Sequence, residues 1–368
     1  MKAEFLIVGG FLGAGKTTAM LQLARHLTGQ GRRVGLIAND QSYGLVDTAL
    51  LRSHAWPVEE ITGGCFCCRF DSLTQGVERL AREAGPDCFL AEPVGSCTDL
   101  RATVQYPLRQ LYGDAYRVGP LSVLVDPLRA LRVLGLESGN AFSPKVQYIY
   151  GKQLEEADII VVNKCDLLDA ARLDRLEAAL HECWPAAEVL RVSAREGTGL
   201  GRWFAALSAD PGSAVPPEVD YDDYAEGEAR LGWLNSAIGV AAAEPLDGNL
   251  LLLEVARRIR GSLSAESIEI AHLKMTLAPD AAASRPAVLN LVSTEMDPVL
   301  PHALEQKLSR GELLLNLRAE APPETLRAAV EAALAATHAA GAQLLVRTIE
   351  CFSPARPTPT HRLSGVEL

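Results

Sequence analysis

Gly9-Gly-Phe-Leu-Gly-Ala-Gly-Lys-Thr-Thr18 is the stretch on which the fold turns. From Gly10 to Thr17 it fits G-x-x-x-x-G-K-[ST]. It stands between a buried-strand run, Phe5-Leu-Ile-Val8, and a helical stretch that begins near Lys16. A strand, a glycine-rich turn and a helix in that order are the context a phosphate-binding loop requires. Glycines let backbone N–H groups converge on phosphate oxygens, and the helix N-terminus adds partial positive charge. The expected cradle is Gly10, Gly13, Ala14, Gly15, Lys16, Thr17 and Thr18, with Lys16 reaching the β- and γ-phosphates and the Thr17 hydroxyl on Mg²⁺.

The base is read further along. Ala157-Asp-Ile-Ile-Val-Val162 is a continuous apolar strand, and Asn163-Lys164-Cys165-Asp166 follows at its carboxyl end, where ligands sit in open parallel sheets. A carboxylate at Asp166 can accept from guanine N1 and the exocyclic amine, a donor pair that adenine lacks, while Asn163 and the Lys164 stem complete the pocket. Taken alone, Asp166 could be the N-cap of the next helix. A later strand ending in Ser193-Ala194 supplies a third base-contacting element and favours guanine.

Ile61-Thr-Gly-Gly-Cys65-Phe-Cys67-Cys68-Arg69 is the second informative stretch. Three thiols within four residues form a compact soft-ligand set, with Cys65 and Cys67 expected on one side of a short extended segment. Thiolates suit Zn²⁺ and Cu⁺, and Co²⁺ or Ni²⁺ are compatible; three of them leave a tetrahedral ion one ligand short. A redox pair or buried structural thiols are the alternatives. The remaining cysteines are scattered, and Cys97 is read as packing.

The phosphate loop, the Gly-Gly-Cys-Phe-Cys-Cys run, Glu92-Pro-Val-Gly95 and Asn163-Lys-Cys-Asp166, in this order, resemble the CobW-like metallochaperone GTPases, relatives of the nickel-insertion GTPases of hydrogenase and urease. The resemblance covers residues 1 to about 205. It implies a divalent metal on Cys65, Cys67 and Cys68, and Mg²⁺ or γ-phosphate sensing by Glu92 and Gly95; with the thiolate chemistry, zinc or cobalt is expected first and nickel or copper(I) next. Two departures stand out. The family's Asn-Glu-Phe-Gly-Glu is here Asn39-Asp40-Gln41-Ser42-Tyr43, which keeps one acid, Asp40, and replaces the second by Tyr43. Glu-Pro-Val-Gly-Ser-Cys97 also differs from the usual Glu-Thr/Ser-x-Gly continuation, and no histidine-rich stretch is present.

The first region alternates strands (4–9, 33–38, 87–92, 120–126, 157–163, 188–193) with helices, which predicts an α/β P-loop fold with a parallel sheet over residues 1–210. Residues 211–230 read as a linker. Residues 231–352 read as a smaller α+β domain with an antiparallel, ferredoxin-like sheet, including a helix near 298–309, and 353–368 as an extended tail. A net charge of −11 disfavours nucleic acid and anionic membranes as partners. The absence of an apolar run of about 20 residues disfavours a membrane span. The N-terminus reads as a core strand rather than a signal peptide, and the cysteine usage as a reducing cytoplasm.

These features combine into a GTP-hydrolysing metallochaperone. It would cycle between GTP and GDP, with Lys16, Thr17, Glu92 and Asp40 as catalytic residues. Turnover would be slow for want of an assignable arginine finger. The partners expected are a client metalloprotein or cofactor-assembly enzyme and a nucleotide-dependent homodimer. Two rivals remain: a GTPase gating a cobalamin-dependent enzyme, and a nucleotide-controlled scaffold with negligible turnover. The base assignment carries its own test. Asp166→Asn is expected to weaken GTP by about 1.5–3 kcal/mol and to favour xanthosine triphosphate. Equal ATP and GTP affinity in the parent protein would refute it.

Overall fold

Short apolar runs flanked by glycine, asparagine and acidic residues build the first sheet. The computed structural model describes residues 2–41, 46, 51, 56–211, 214–280, 285–337 and 342–365. Two compact units emerge. The first comprises residues 1–43, 47–227 and 356–368, and the second residues 44–46 and 228–355.

In the first unit, strands β1 (Ala3–Gly10), β2 (Val34–Asn39), β3 (Val58–Ile61), β4 (Cys88–Glu92), β6 (Ser122–Val125), β7 (Ile159–Val162) and β8 (Glu188–Arg191) lie in the order β3-β2-β4-β1-β6-β7-β8. All neighbours in that order run parallel. A short strand, β5 (Tyr116–Val118), adds to β1. Helices α1 (Lys16–Gly29), α2 (Phe70–Ala84), α3 (Tyr106–Tyr112), α4 (Pro127–Val133), α5 (Pro144–Glu155), α6 (Ala170–Cys183), α7 (Leu200–Ala206) and α8 (Tyr221–Arg230) connect and cover the strands. The α1 stripe of Ala19, Met20, Leu23 and Leu27 packs into the core with Leu6, Val8 and Leu90. Parallel connection places the carboxyl ends of β1, β2, β4, β6 and β7 along one edge, where the nucleotide and thiol loops arise.

The second unit contains β9 (Gly232–Leu246), α9 (Gly248–Ala265), β10 (Ile270–Pro279), β11 (Ala287–Leu291), β12 (Val299–His302), β13 (Leu308–Ala319), α10 (Pro323–Ala336) and β14 (Ala342–Phe352). Its antiparallel sheet runs β12-β11-β10-β13-β9-β14. Without the β11–β12 excursion this is the split β-α-β-β-α-β pattern. Leu251, Val255 and Ile259 of α9 and Leu326 and Val330 of α10 bury against it.

Two expectations are corrected. Residues 298–309 do not form a helix: Val299–His302 is an edge strand, and β13 begins at Leu308. Pro298 and Pro301 explain this, since proline lacks a donor and survives in sheets mainly on edges. Within the expected linker, residues 221–230 are helical. Tyr221 and Tyr224 share one face at i,i+3, Tyr224 is fully buried, and Asp222 and Asp223 lie in the first turn, where the helix dipole favours acids.

The chain beyond β14 returns to the first unit. Thr360 N–H donates to Cys67 O at 2.9 Å, and Leu363 N–H to Ala102 O at 2.9 Å. Arg362 Nε donates to Asp99 Oδ2 at 2.7 Å, and the Tyr221 hydroxyl reaches the same oxygen at 2.7 Å. Asp99 is fully buried and adopts φ 64°. Burial pushes its carboxyl upward, opposed by the Tyr221 and Arg362 hydrogen bonds. Arg362→Ala is therefore expected to lower the unfolding free energy of the first unit by about 1–3 kcal/mol, below the full cost of breaking a buried pair because Asp99 can take up a proton. Denaturant titration checks this; a loss within about 0.5 kcal/mol would make Arg362 an ordinary surface residue.

Candidate nucleotide and thiol sites

The phosphate loop runs from the end of β1 to the start of α1. Gly15 has φ 91°, and a Cβ there would lie 2.5 Å from Asn163 Nδ2, so the position needs glycine on both counts. Lys16 and Thr17 are buried. Lys16 Nζ donates to Phe11 O at 3.4 Å and lies 4.0 Å from Glu92 Oε1. Thr17 Oγ1 donates to Glu92 Oε1 at 3.2 Å, which joins a hydroxyl and a carboxylate, both hard oxygen donors that suit Mg²⁺. Gly95 follows on the same loop, and its carbonyl accepts from Gln153 Nε2 at 3.0 Å. Gly10, Gly13, Ala14 and Thr18 occupy the loop and first helical turn, with Ala14 N–H donating to Phe11 O at 3.1 Å.

Of the residues expected to read the base, Asn163, Lys164 and Ala194 converge on this loop. Asn163 Nδ2 donates to Ala14 O at 2.8 Å, while its Oδ1 accepts from Ala194 N–H at 3.0 Å. Lys164, with φ 55°, donates to Gly13 O at 2.7 Å and pairs with Asp126 at 2.8 Å. Burial works to raise the Asp126 carboxyl, yet Lys164 and Arg129 hold it below the usual range. Asp166 is exposed, and Arg195 reaches its Oδ2 at 3.3 Å. Ser193 Oγ accepts from Glu196 N–H at 3.1 Å and fixes the last loop. Arg129 lacks a sequence signal: it is buried, donates to Leu12 O, and lies 5.4 Å and 5.0 Å from the Phe11 and Phe142 ring centres.

The cysteine run follows β3, a strand the sequence reading missed. Residues 66–69 form a turn rather than the extended segment expected. Cys68 and Arg69 N–H groups both donate to Cys65 O, at 3.1 and 2.9 Å, and lead straight into α2. The sulfurs of Cys65, Cys67 and Cys68 all lie within 4.8 Å of one another. Cys65 and Cys67 are buried, and Cys68 is half-buried. Thr358 N–H donates to Cys68 Sγ at 3.2 Å. Cys97, read as packing, is 1% exposed, and its sulfur is not one of the three that all lie within 4.8 Å of one another. Asn39 organises the loop: its Nδ2 donates to Ile61 O at 2.9 Å and Gly64 O at 2.7 Å, and its Oδ1 accepts from Phe66 N–H at 2.8 Å. Asp40 is half-buried, its Oδ1 accepting from Gln41 N–H at 2.6 Å. Tyr43 lies outside the described residues.

A family model for the nucleotide-binding domain of CobW, HypB and UreG matches residues 4–191, about half of the chain. The chain belongs to the CobW/HypB/UreG family. Among curated relatives, the zinc chaperone CobW of a Sinorhizobium species is 31% identical over 194 residues, 47% of this chain and 53% of that protein. The zinc chaperone YeiR of Escherichia coli K12 is 30% identical over 161 residues, 44% and 46% of the two chains. The chain thus spans about half the length of these relatives. The nickel complex of HypB from Helicobacter pylori superposes with TM-score 0.41 at 18% identity, over 55% of this chain and 84% of that one. Among the described residues, no helix is long and apolar enough to cross a membrane.

The thiols differ in protonation. Hydrogen bonds from Cys67, Cys68 and Cys97 hold Cys65 well below the ordinary thiol range. Interaction with Cys65 pushes Cys67 well up and Cys68 up to about 11. With Cys67 and Cys68 pushed upward, a metal ion bound by all three sulfurs must displace protons. Zinc affinity is expected to climb by at least about tenfold per pH unit between about pH 6.5 and about pH 8. Competition against a chelating indicator, corrected for the indicator's own protonation, measures this; a flat profile would mean the thiols are not the ligands.

Proposed function

We propose that this chain is a GTP-hydrolysing metallochaperone that carries a transition metal, zinc first and cobalt next, on Cys65, Cys67 and Cys68 and releases it to a client protein according to the bound nucleotide. Family membership supports the nucleotide chemistry, and the names of the zinc-chaperone relatives favour zinc. The base-reading role falls to Asn163, Lys164, Asp166, Ser193 and Ala194. The phosphate role falls to the loop from Gly10 to Thr18, with Gly95 beside the γ-phosphate. Lys16 balances phosphate charge, and Thr17 with Glu92 would hold Mg²⁺, which supplies further charge neutralisation when bound. Asp40 is assigned to the same face. The client, slow turnover, a nucleotide-dependent homodimer and a cytoplasmic setting belong to the same proposal.

One observation carries the coupling. Strands β2 and β4 are neighbours, with Ala38 in register with Glu92. The next residue on β2, Asn39, bonds the cysteine loop, while Glu92 bonds Thr17. The metal and phosphate sites therefore hang from adjacent strand ends, and a rearrangement on loss of the γ-phosphate has a short backbone path to the thiols.

Zinc affinity measured with a non-hydrolysable GTP analogue and with GDP is expected to differ by about 1–3 kcal/mol, roughly 5–150-fold. Reciprocity requires zinc to shift the GTP/GDP preference by the same factor. Lys16→Ala serves as the uncoupled control. Identical affinities in both states would leave a thiol site and a nucleotide site without a switch between them, and the chaperone reading would fail.

A further inference from the structure

Three consecutive carbonyls of the phosphate loop are each held by a side chain from elsewhere in the sheet. Leu12 O accepts from Arg129 Nη1 at 2.5 Å, Gly13 O from Lys164 Nζ at 2.7 Å, and Ala14 O from Asn163 Nδ2 at 2.8 Å. The peptide bonds are trans, and across a trans peptide the C=O and the following N–H point in opposite directions. Fixing Leu12 O therefore fixes the direction of Gly13 N–H, and fixing Ala14 O does the same for Gly15. Ala14 N–H is used within the loop, on Phe11 O at 3.1 Å, whereas Gly13 and Gly15 N–H find no protein acceptor among the described residues. Such backbone donors, facing away from the held carbonyls, suit an anion. Asn163 and Lys164 belong to the stretch after β7 that reads the base. Arg129 comes from α4, and no motif points to it.

Arg129 is itself closely held, at 7% exposure. Asp126 caps α4: its Oδ1 accepts from Arg129 N–H at 3.0 Å, while its Oδ2 accepts from Lys164 Nζ at 2.8 Å. One carboxylate thus anchors both arms that grip Leu12 O and Gly13 O. The guanidinium lies 5.4 Å from the Phe11 ring centre and 5.0 Å from that of Phe142, distances at which a cation is attracted to an aromatic ring. Leu12 has a second neighbour. A Cβ added at Gly95 would lie 2.8 Å from Leu12 Cδ2 and 3.0 Å from Leu12 N, so the segment that follows Glu92 rests directly on this residue.

Resting on the nucleotide reading above, we propose that Arg129 is a positioning residue of the phosphate site: by holding Leu12 O it aims Gly13 N–H at the phosphates of the bound nucleotide and fixes the surface on which the Gly95 segment rests. Arg129 acts through the Leu12–Gly13 peptide and does not itself touch the nucleotide. The bond it prepares, from a backbone N–H to a phosphate oxygen, is charge-assisted and so depends on direction as well as distance. Without the guanidinium, Leu12 O loses a buried partner, and the peptide is free to turn toward another.

Nuclear magnetic resonance on the full chain, with ¹³C in leucine carbonyls and ¹⁵N in glycine, isolates this peptide. Only Leu12-Gly13, Leu134-Gly135, Leu200-Gly201 and Leu231-Gly232 then give linked signals. Addition of GDP to the parent is expected to move the Gly13 amide resonance, and Arg129→Met to lose most of that movement at saturating GDP. In steady-state GTP hydrolysis Arg129→Met is expected to lower kcat by about tenfold or more, as misdirected backbone donors do, while the preference for GTP over ATP is kept. Arg129→Gln, also neutral, carries the same comparison if Arg129→Met does not fold. A folded variant with lowered thermal stability but a parent-like Gly13 shift and kcat would make Arg129 merely structural and overturn the proposal. A Gly13 amide that GDP leaves unmoved in the parent would overturn it as well, with nucleotide binding still standing. Failure of the parent to bind GDP or GTP would overturn the nucleotide reading itself.

Discussion

The carboxamide of Asn39 is the interaction on which the thiol site depends. It ends β2, and its three hydrogen bonds to Ile61 O, Gly64 O and Phe66 N–H hold both flanks of the cysteine turn. A residue with one fewer donor or acceptor could not do this: aspartate would repel the two carbonyls, and alanine would leave buried backbone groups unmatched at about 1–3 kcal/mol each. With the turn pinned, Cys65 O can accept from both Cys68 and Arg69, and α2 starts at once. The thiols are thus presented at a helix N-terminus, whose partial positive charge favours anionic sulfur.

A second buried asparagine plays the matching part for the nucleotide loops. Asn163 spans Ala14 O and Ala194 N–H, tying the phosphate loop to the loop that follows β8. Both side chains sit at the carboxyl ends of parallel strands, one of β2 and one just past β7. Each is satisfied on donor and acceptor sides, which is what makes a buried amide a precise strut rather than a cost.

Much of this was legible in the sequence because the signals were local. Phe5-Leu-Ile-Val8, Cys88-Phe-Leu-Ala91 and Ile159-Ile-Val-Val162 are short apolar runs, and all are buried strands. Strand β3 was not, since Val58-Glu-Glu-Ile61 buries only Ile61 and shows no apolar run. Helix α8 was hidden because its buried residues, Tyr224, Gly227 and Glu228, sit in an acidic stretch that resembles a solvated linker. In the thiol site the three clustered cysteines stand out by spacing. Arg362 and Asp99 lie 263 residues apart, a separation at which no periodicity speaks.

The return of the chain's last segment to the first unit has a consequence for biosynthesis. Cys68 and the Thr358 N–H that donates to its sulfur are separated by 290 positions. At about 5–20 residues per second, a ribosome needs roughly 15–60 s to travel that distance. Once β8 has been made the nascent first unit can assemble its parallel sheet, yet its cysteine turn still lacks the segment of backbone that later bonds Cys67 O and Cys68 Sγ. The thiols of a nascent chain that has not yet reached Thr358 are therefore more open to oxidants and to adventitious metal than those of a chain in which Thr358 and Thr360 lie against them.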